Sequence, residues 1–386
     1  MSVLCLLLAS YLSLFRFSLA TPRGSITANS TPSTFYQGHD LSSLLILEEG
    51  GAIYKDTQRQ NQTRPAEDIL IDGGMNTARL RLWVNPLPGQ YDLNYTLTLA
   101  KRFAAKDQHI YLDFHFSDTW ADPNHNNAPV EWPTTLEPLA TTIRGYVNST
   151  LNSFHEAGVD LSLVSLGNEI RHGMLWPLGY VDVDTQPTEA RIQNFTNLAY
   201  LWAASRMGIS DAVAAGVPKP QVMIHLDDGW NLTLQNAWFD ALVGTGKVKS
   251  SDWDIFGFSF YPFYGTAATL ANLQNSLNSL AKKWGKPLHV VETDWPEQCN
   301  GTDAPVLSEP EIPVSIQGQI QWVHDIRSVV DQVPNGLGRG VSYWEPAWLN
   351  NTGLGSACED AILFSTDWSQ YPKAIAYSRQ SVNLYR

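Results

Sequence analysis

Leu163-Val164-Ser165-Leu166-Gly167-Asn168-Glu169 is a short apolar run that ends on a carboxylate, and Leu288-His289-Val290-Val291-Glu292-Thr293-Asp294-Trp295-Pro296 repeats the arrangement. Runs of this length, bounded by turn residues, read as strands buried on both faces of a parallel sheet. If such a sheet closes into a barrel, a group just past the C-terminal end of a strand is exposed at one rim. Two carboxyls placed there can face one substrate.

Working outward, six further apolar or β-branched runs bring the number of candidate strands to eight. In order they are Phe35–Asp40, Thr77–Trp83, Ile110–Phe114, Leu163–Leu166, Val222–Leu226, Ile255–Phe260, Leu288–Glu292 and Gly340–Trp344. Eight is the number that closes a parallel barrel. The intervening segments have helical period. Ile192, Phe195, Leu198, Ala199 and Trp202 form one stripe within Glu189–Met207, and Leu270, Leu273, Leu277, Leu280 and Ala281 form another; Thr96–Lys106 and Ile316–Val330 are less regular. A doubly wound open sheet would want a glycine-rich loop after its first strand, and Leu41-Ser42-Ser43-Leu44 offers none. Long loops follow the strands at Ser117–Pro133, Arg171–Pro187, Asp294–Pro313 and Glu345–Asp367, whereas the return connection Gly285-Lys286-Pro287 is short. The expected architecture is α/β, a single (β/α)8 TIM barrel with long βα loops, spanning residues 35–386.

The first twenty residues, Met1 to Ala20, are apolar and end in Ser18-Leu19-Ala20, which reads as a secretory signal peptide cleaved near Ala20. Residues 21–34 read as a loose N-terminal tail. The roughly 360 residues that remain suffice for one large core. Sequons at Asn29, Asn61, Asn94, Asn148, Asn194, Asn231, Asn300 and Asn350 are glycosylation candidates and fit a secreted, extracellular protein. Beyond Cys5 the chain holds only Cys299 and Cys358, expected to form one disulfide in an oxidising compartment. The formal charge of −13 argues against nucleic acid and anionic membrane as partners and suits a neutral ligand. Fourteen Trp and fifteen Tyr are many, and aromatic faces stack on sugar rings as well as filling cores.

Glu169 and Glu292 are the candidate catalytic pair, since retaining glycoside hydrolysis needs two carboxylates. One must be protonated at working pH, the other ionised and held by donors and a positive charge. Arg79 lies within a strand, needs a buried anion, and has Glu292 as a candidate partner. Arg81 shares its face; structural ion pairs under the barrel are the alternative for both. The string Asp113-Phe114-His115-Phe116-Ser117-Asp118-Thr119-Trp120 crowds His115, Asp118 and Trp120 at a strand end, where substrate contact and structural support are equally open. Asn168 is placed to donate to a sugar hydroxyl, Tyr261 to orient the nucleophile, and Trp344 to floor a sugar ring. The fifth strand leads to Asp227. No zinc, EF-hand, phosphate-loop or Gly-x-Ser-x-Gly pattern is present, so no metal and no cofactor is expected.

Several strings taken together are more specific. Gly38-His39-Asp40-Leu41-Ser42-Ser43-Leu44, Arg81-Leu82-Trp83-Val84-Asn85-Pro86, Tyr111 to Pro123, Gly167-Asn168-Glu169-Ile170-Arg171, Ile224-His225-Leu226-Asp227-Asp228-Gly229-Trp230 and Tyr343-Trp344-Glu345-Pro346-Ala347-Trp348 resemble glycoside hydrolase family 53, the arabinogalactan endo-β-1,4-galactanases. The likeness runs from about Phe35 to the end of the chain. It implies internal, retaining cleavage of plant cell-wall β-1,4-galactan, with Glu169 as acid/base and Glu292 as nucleophile. It implies that Asn168, Arg79, His115, Tyr261 and Trp344 surround the reacting sugar, with Trp83, Trp120, Trp295 and Trp348 as further cleft-lining candidates. It also implies a cis peptide after Trp344, and a disulfide between the loops after the seventh and eighth strands. At Asp294 the chain departs from the family pattern, which commonly has Asn; an inward-facing carboxylate there would bear on the pKa of Glu292. The chain is expected to act as a monomer. The rivals are another retaining β-glycanase, acting on mannan or cellulose, and a non-catalytic barrel that binds polysaccharide.

Overall fold

The structure is a computed structural model that describes residues 34–302, 304–349, 358 and 360–386. The signal peptide, the tail up to Ser33 and the sequons at Asn29 and Asn350 lie outside the described residues.

All eight expected strands are present: β1 (Tyr36–Asp40), β2 (Thr77–Leu82), β3 (His109–Phe114), β4 (Leu161–Leu166), β5 (Gln221–Leu226), β6 (Ile255–Ser259), β7 (Leu288–Glu292) and β8 (Gly338–Tyr343). They close into one barrel, each strand parallel to its neighbours, in the order β1-β8-β7-β6-β5-β4-β3-β2. The fold is a (β/α)8 barrel. In β2, Ala78, Leu80 and Leu82 belong to the large core between barrel and helices, while Arg79 and Arg81 alternate to the inside. Tyr36, Tyr111, Leu163, Met223, Ile255 and Val291 form a separate apolar cluster that alternates with the outward set and so plugs the barrel interior. Space there is tight: a Cβ on Gly38 would sit 2.2 Å from the Ser342 Oγ.

The register slips by one residue in the β6–β7 pair, between Phe258–Val290 and Ser259–Glu292. Val291 is the extra residue. A bulge of this kind re-aims the next side chain, and here that side chain is Glu292.

Nine helices are described: α1 (Leu44–Glu49), α2 (Ala66–Asp72), α3 (Leu93–Ala104), α4 (Leu136–Glu156), α5 (Thr188–Asn194), α6 (Thr196–Ala214), α7 (Leu232–Gly244), α8 (Leu270–Trp284) and α9 (Ile316–Asp331). Several start on a side-chain cap, as Thr269 accepts from the Asn272 amide and Ser315 from that of Gly318. The stripe expected as one helix over Glu189–Met207 is divided between α5 and α6, with the buried Phe195 ending one and opening the other. Gly285 (φ 63°) closes α8 in the left-handed conformation and permits the short return to β7.

A second sheet was not expected. Ile53–Asp56, Gln62–Thr63, Phe364–Asp367 and Ile375–Ser378 form four short strands outside the barrel. The Tyr54 hydroxyl donates to the Ala347 carbonyl at 2.9 Å, tying this sheet to the loop after β8. That loop is also joined to the one after β7 by the Cys299–Cys358 disulfide, with Cα atoms 4.7 Å apart. The bond spans 59 residues of chain, so replacing both cysteines by Ser is expected to lower unfolding free energy in urea by about 2–4 kcal/mol. An unchanged midpoint would show that it adds no stability.

Of the described sequons, Asn61, Asn94, Asn194 and Asn300 are exposed, while Asn148 and Asn231 are half-buried. No helix among the described residues is long and apolar enough to cross a membrane.

Candidate active site

The chain turns sharply just past four strands, where Phe116 (φ 50°), Glu169 (φ 46°), Asp228 (φ 49°) and Glu345 (φ 42°) adopt the left-handed conformation. Non-glycine residues reach it at a cost of about 1–3 kcal/mol each, and only where the surroundings enforce it. Before Glu169 the turn depends on Gly167 (φ 101°), where a Cβ would meet Ile170 Cγ2 at 2.5 Å. Two of these turns present Glu169 and Asp228 to a cleft of about 420 Å³ at the C-terminal rim, while Phe116 packs in the core and Glu345 pairs with Arg81. Glu169, Glu292, Tyr261, Trp344, Trp120 and Asp227 line it.

Arg79 organises the floor. Its guanidinium is buried and meets Asp40 Oδ2 at 2.5 Å, Asp113 Oδ2 at 2.7 Å and Glu292 Oε1 at 2.6 Å, and donates to Asn168 Oδ1 at 2.8 Å. Glu292 is therefore the expected anionic partner of Arg79. Its other oxygen accepts from the Tyr261 hydroxyl at 2.9 Å. Burial pushes the Glu292 carboxyl up to about 6, and Arg79 and Tyr261 restrain the rise. Glu169 has no such cation among the causes of its shift. Burial, then the charges of Glu292 and Asp227, push it well above the usual carboxyl range. The pair thus differs in the required sense: the proton resides on Glu169 while Glu292 ionises first.

A model of glycosyl hydrolase family 53 matches residues 36–375. The chain belongs to that family. An arabinogalactan endo-beta-1,4-galactanase of Thermothelomyces thermophilus is 41% identical over 331 residues, 86% of this chain and 95% of that protein. The enzyme of the same name from Humicola insolens is 40% identical, again over 86% of this chain and 95% of its own length. Among solved structures, a fungal beta-1,4-galactanase superposes with a TM-score of 0.81 at 38% identity, covering 91% of this chain and 98% of that one. The GH53 catalytic domain of Ignisphaera aggregans superposes at 0.76 with 25% identity, covering 93% and 97%. Membership in family 53 makes the chain a glycosidase.

Several residues expected at the family 53 cleft stand behind it instead. Arg81 is buried, paired with Glu345 at 2.6 Å and Ser43 Oγ at 2.8 Å, and it stacks on Tyr91, Trp120 and Trp348 at 4.3, 5.1 and 5.2 Å. It supports the aromatic wall from within. His115 Nδ1 accepts from both Trp83 Nε1–H and the Ala121 amide at 3.1 Å, so its proton lies on Nε2, facing Asp113 at 3.3 Å. Burial keeps the ring neutral. With both nitrogens engaged, His115 positions Trp83 and does not touch a ligand in the cleft. Asp118 accepts from the Asn85 and Val130 amides and pins a loop. Trp295 is core: wholly buried, it donates to the Pro313 carbonyl and packs on Trp322 at 5.0 Å. Trp83 and Trp348 are half-buried and pack against Tyr91 and Trp344 respectively. Asn168 spends its carbonyl on Arg79 and one N–H on Ala121 O, leaving the second N–H for a ligand. The backbone distortion after Trp344 is the positive φ of Glu345. The cis peptide expected there is not found; cis bonds among the described residues are Trp176–Pro177, Gln186–Pro187 and Tyr371–Pro372.

Sequence reasoning did not select Asp122, Arg171, Asp228, Ser259 or Tyr264, which also line the cleft. Arg171 bridges Asp227 and Asp228 at 3.1 and 2.8 Å, and burial, then Asp228, pushes Asp227 up to about 8. Their signal was position after a strand end, shared with many residues of no consequence. No group of three or more His, Cys, Asp or Glu among the described residues is placed to hold a metal ion.

Asp294 does face the cleft beside Glu292, as alternation along the chain requires. It is buried, its Oδ1 lacks a hydrogen-bond partner, and burial, then the Glu292 charge, pushes it well above the usual range. Burial thus disfavours its ionisation beside Glu292. Asp294→Asn is expected to leave the acid limb of kcat/KM superimposable on the wild type. A limb displaced downward by more than roughly half a unit would mean that Asp294 is ionised in the working enzyme.

Proposed function

We propose that the chain is a secreted, monomeric endo-β-1,4-galactanase that cleaves galactan side chains of pectic type I arabinogalactan with retention at the anomeric carbon. The observation that carries the mechanism is the asymmetry of the two glutamates, one held by Arg79 and Tyr261, the other buried without a cation. The substrate is supported by relatives about 40% identical over most of the chain that are arabinogalactan endo-beta-1,4-galactanases.

In the first half, Glu292 attacks the anomeric carbon while Glu169 gives its proton to the glycosidic oxygen. The leaving chain departs and a covalent glycosyl-enzyme forms. In the second half, Glu169, now ionised, takes a proton from water, which attacks the same carbon and frees Glu292. The second N–H of Asn168 is available to a sugar hydroxyl beside the reacting carbon, and Trp344 lies in the wall where a sugar face stacks.

Reducing-sugar release from potato galactan, against mannan and carboxymethylcellulose, tests the substrate; preference for either of the latter rejects it. The kcat/KM profile is expected to be bell-shaped. Glu292 must be ionised, so activity falls as pH drops through about 6. Glu169 must be protonated, so activity falls again on the alkaline side. A profile with no acid limb would contradict the assigned roles.

A further inference from the structure

Tyr180, in the loop after β4, is 47% exposed although it packs against two other rings. The half-buried His172 ring lies nearly parallel to it, 7° apart with centroids at 5.9 Å, and the half-buried Trp176 meets it at 71° and 5.2 Å. Both neighbours spend a ring N–H on the backbone. Trp176 Nε1–H donates to the His172 carbonyl at 2.7 Å, and His172 Nδ1 faces the Val181 carbonyl at 3.2 Å, so that nitrogen carries a proton. These donors are turned inward, and Tyr180 supplies the exposed ring.

The loop that carries the three rings is tightly built. Gly173 and Tyr180 pair across it in an antiparallel bridge, and a Cβ on Gly173 would sit 1.9 Å from the Gly179 carbonyl oxygen. The Trp176 backbone N–H donates to the Asn126 carbonyl at 2.8 Å, and its carbonyl accepts from the Ala128 amide at 3.1 Å, which locks this loop to the one after β3. Cleft-lining residues lie beside the cluster on both loops: Arg171 immediately precedes His172, and Asn124 stands two residues before Asn126. The aromatic surface thus continues the cleft on its Glu169 side. Trp344, which follows β8, is on the opposite side, since four steps around the barrel separate β8 from β4.

We propose that Tyr180, backed by Trp176 and His172, stacks on a galactose unit of the leaving chain, beyond the bond that is cut. The inference rests on the galactanase reading of the site. Glu169 gives its proton to the glycosidic oxygen, so the departing sugars emerge past β4, away from Trp344. The Tyr180 ring meets them there. One face of a galactopyranose is lined by C–H groups while its hydroxyls project from the edges, so an exposed aromatic ring covers the apolar face and leaves the edges in water. The two rings behind Tyr180 hold it in place beforehand, so little ordering is lost on binding.

The test compares kcat/KM on linear β-1,4-galactan with kcat/KM on 4-nitrophenyl β-1,4-galactobioside, whose leaving group carries no sugar to reach Tyr180. In Tyr180→Ala the ratio of the two should fall about tenfold, the upper scale of one lost aromatic contact, and Tyr180→Phe, which keeps the ring, should hold the wild-type ratio. Proportional losses on both substrates would make Tyr180 a brace for the loop beside Glu169, and no loss on either would leave it without a ligand. Each overturns the proposal. So does a Phe variant as weak as Ala, because the contact would then be the hydroxyl and not the ring. Galacto-oligosaccharides labelled at the reducing end report the side: Tyr180→Ala should shorten the labelled products, and longer ones would place the contact on the other side and reject it. If the wild type does not cleave galactan, the galactanase reading fails and this inference with it; if it does and the ratio stays fixed in Tyr180→Ala, only this inference fails.

Discussion

Glu292→Ala is expected to lose turnover on β-1,4-galactan by roughly 10⁴-fold or more, the scale seen when a covalent nucleophile is removed. Nothing nearby can replace it. Asp40 and Asp113 are committed to Arg79 beneath the cleft, and burial works against ionisation of Asp294. The lost step is formation of the covalent intermediate, so a better leaving group should not restore it. Burst kinetics with an activated aryl galactoside should vanish. Azide can restore turnover only by entering the vacated space, and the product would then be the α-galactosyl azide. Turnover within tenfold of wild type would remove Glu292 from the nucleophile role.

Glu169→Ala should behave differently. General acid catalysis contributes about 10²–10⁴-fold, so galactan, with its poor sugar leaving group, should lose activity on that scale. Aryl galactosides that leave without a proton should still form the glycosyl-enzyme, which then accumulates because no base activates water. Azide needs no base and should restore turnover, giving the β-galactosyl azide with net retention. NMR of the product anomer distinguishes the variants, and the α anomer from Glu169→Ala would reverse the two assignments. Equal losses on galactan and on activated substrates would reject a proton-transfer role for Glu169.

The barrel was legible in the sequence because parallel strands buried on both faces leave continuous apolar runs. Strand ends were legible where those runs stop on charged residues. Glu169 and Glu292 followed directly. The outer sheet was not legible: Ile53–Asp56 and Gln62–Thr63 are short, partly exposed and without a sustained period. The Val291 bulge has no sequence signature, although it helps aim Glu292. Trp295 and His115 were drawn to the cleft because aromatic and titratable residues after a strand look functional. In space one turns outward against Trp322, and the other spends both ring nitrogens on the protein.

The carboxyl groups around the cleft have a consequence for which sugars enter. Asp122, Glu169, Asp227, Asp228, Glu292 and Asp294 line it, and among the described residues Arg171 is the one Lys or Arg in the lining, already bridged to two of them. A neutral galactose unit meets acceptors for its hydroxyls, and the positive charge that builds on the ring in the transition state meets a favourable field. A uronic acid must bring its charge into a carboxyl-lined wall with no free cation to receive it. Cutting should therefore stop where a neutral side chain joins an acidic polymer backbone, a boundary set by a charge that finds no partner.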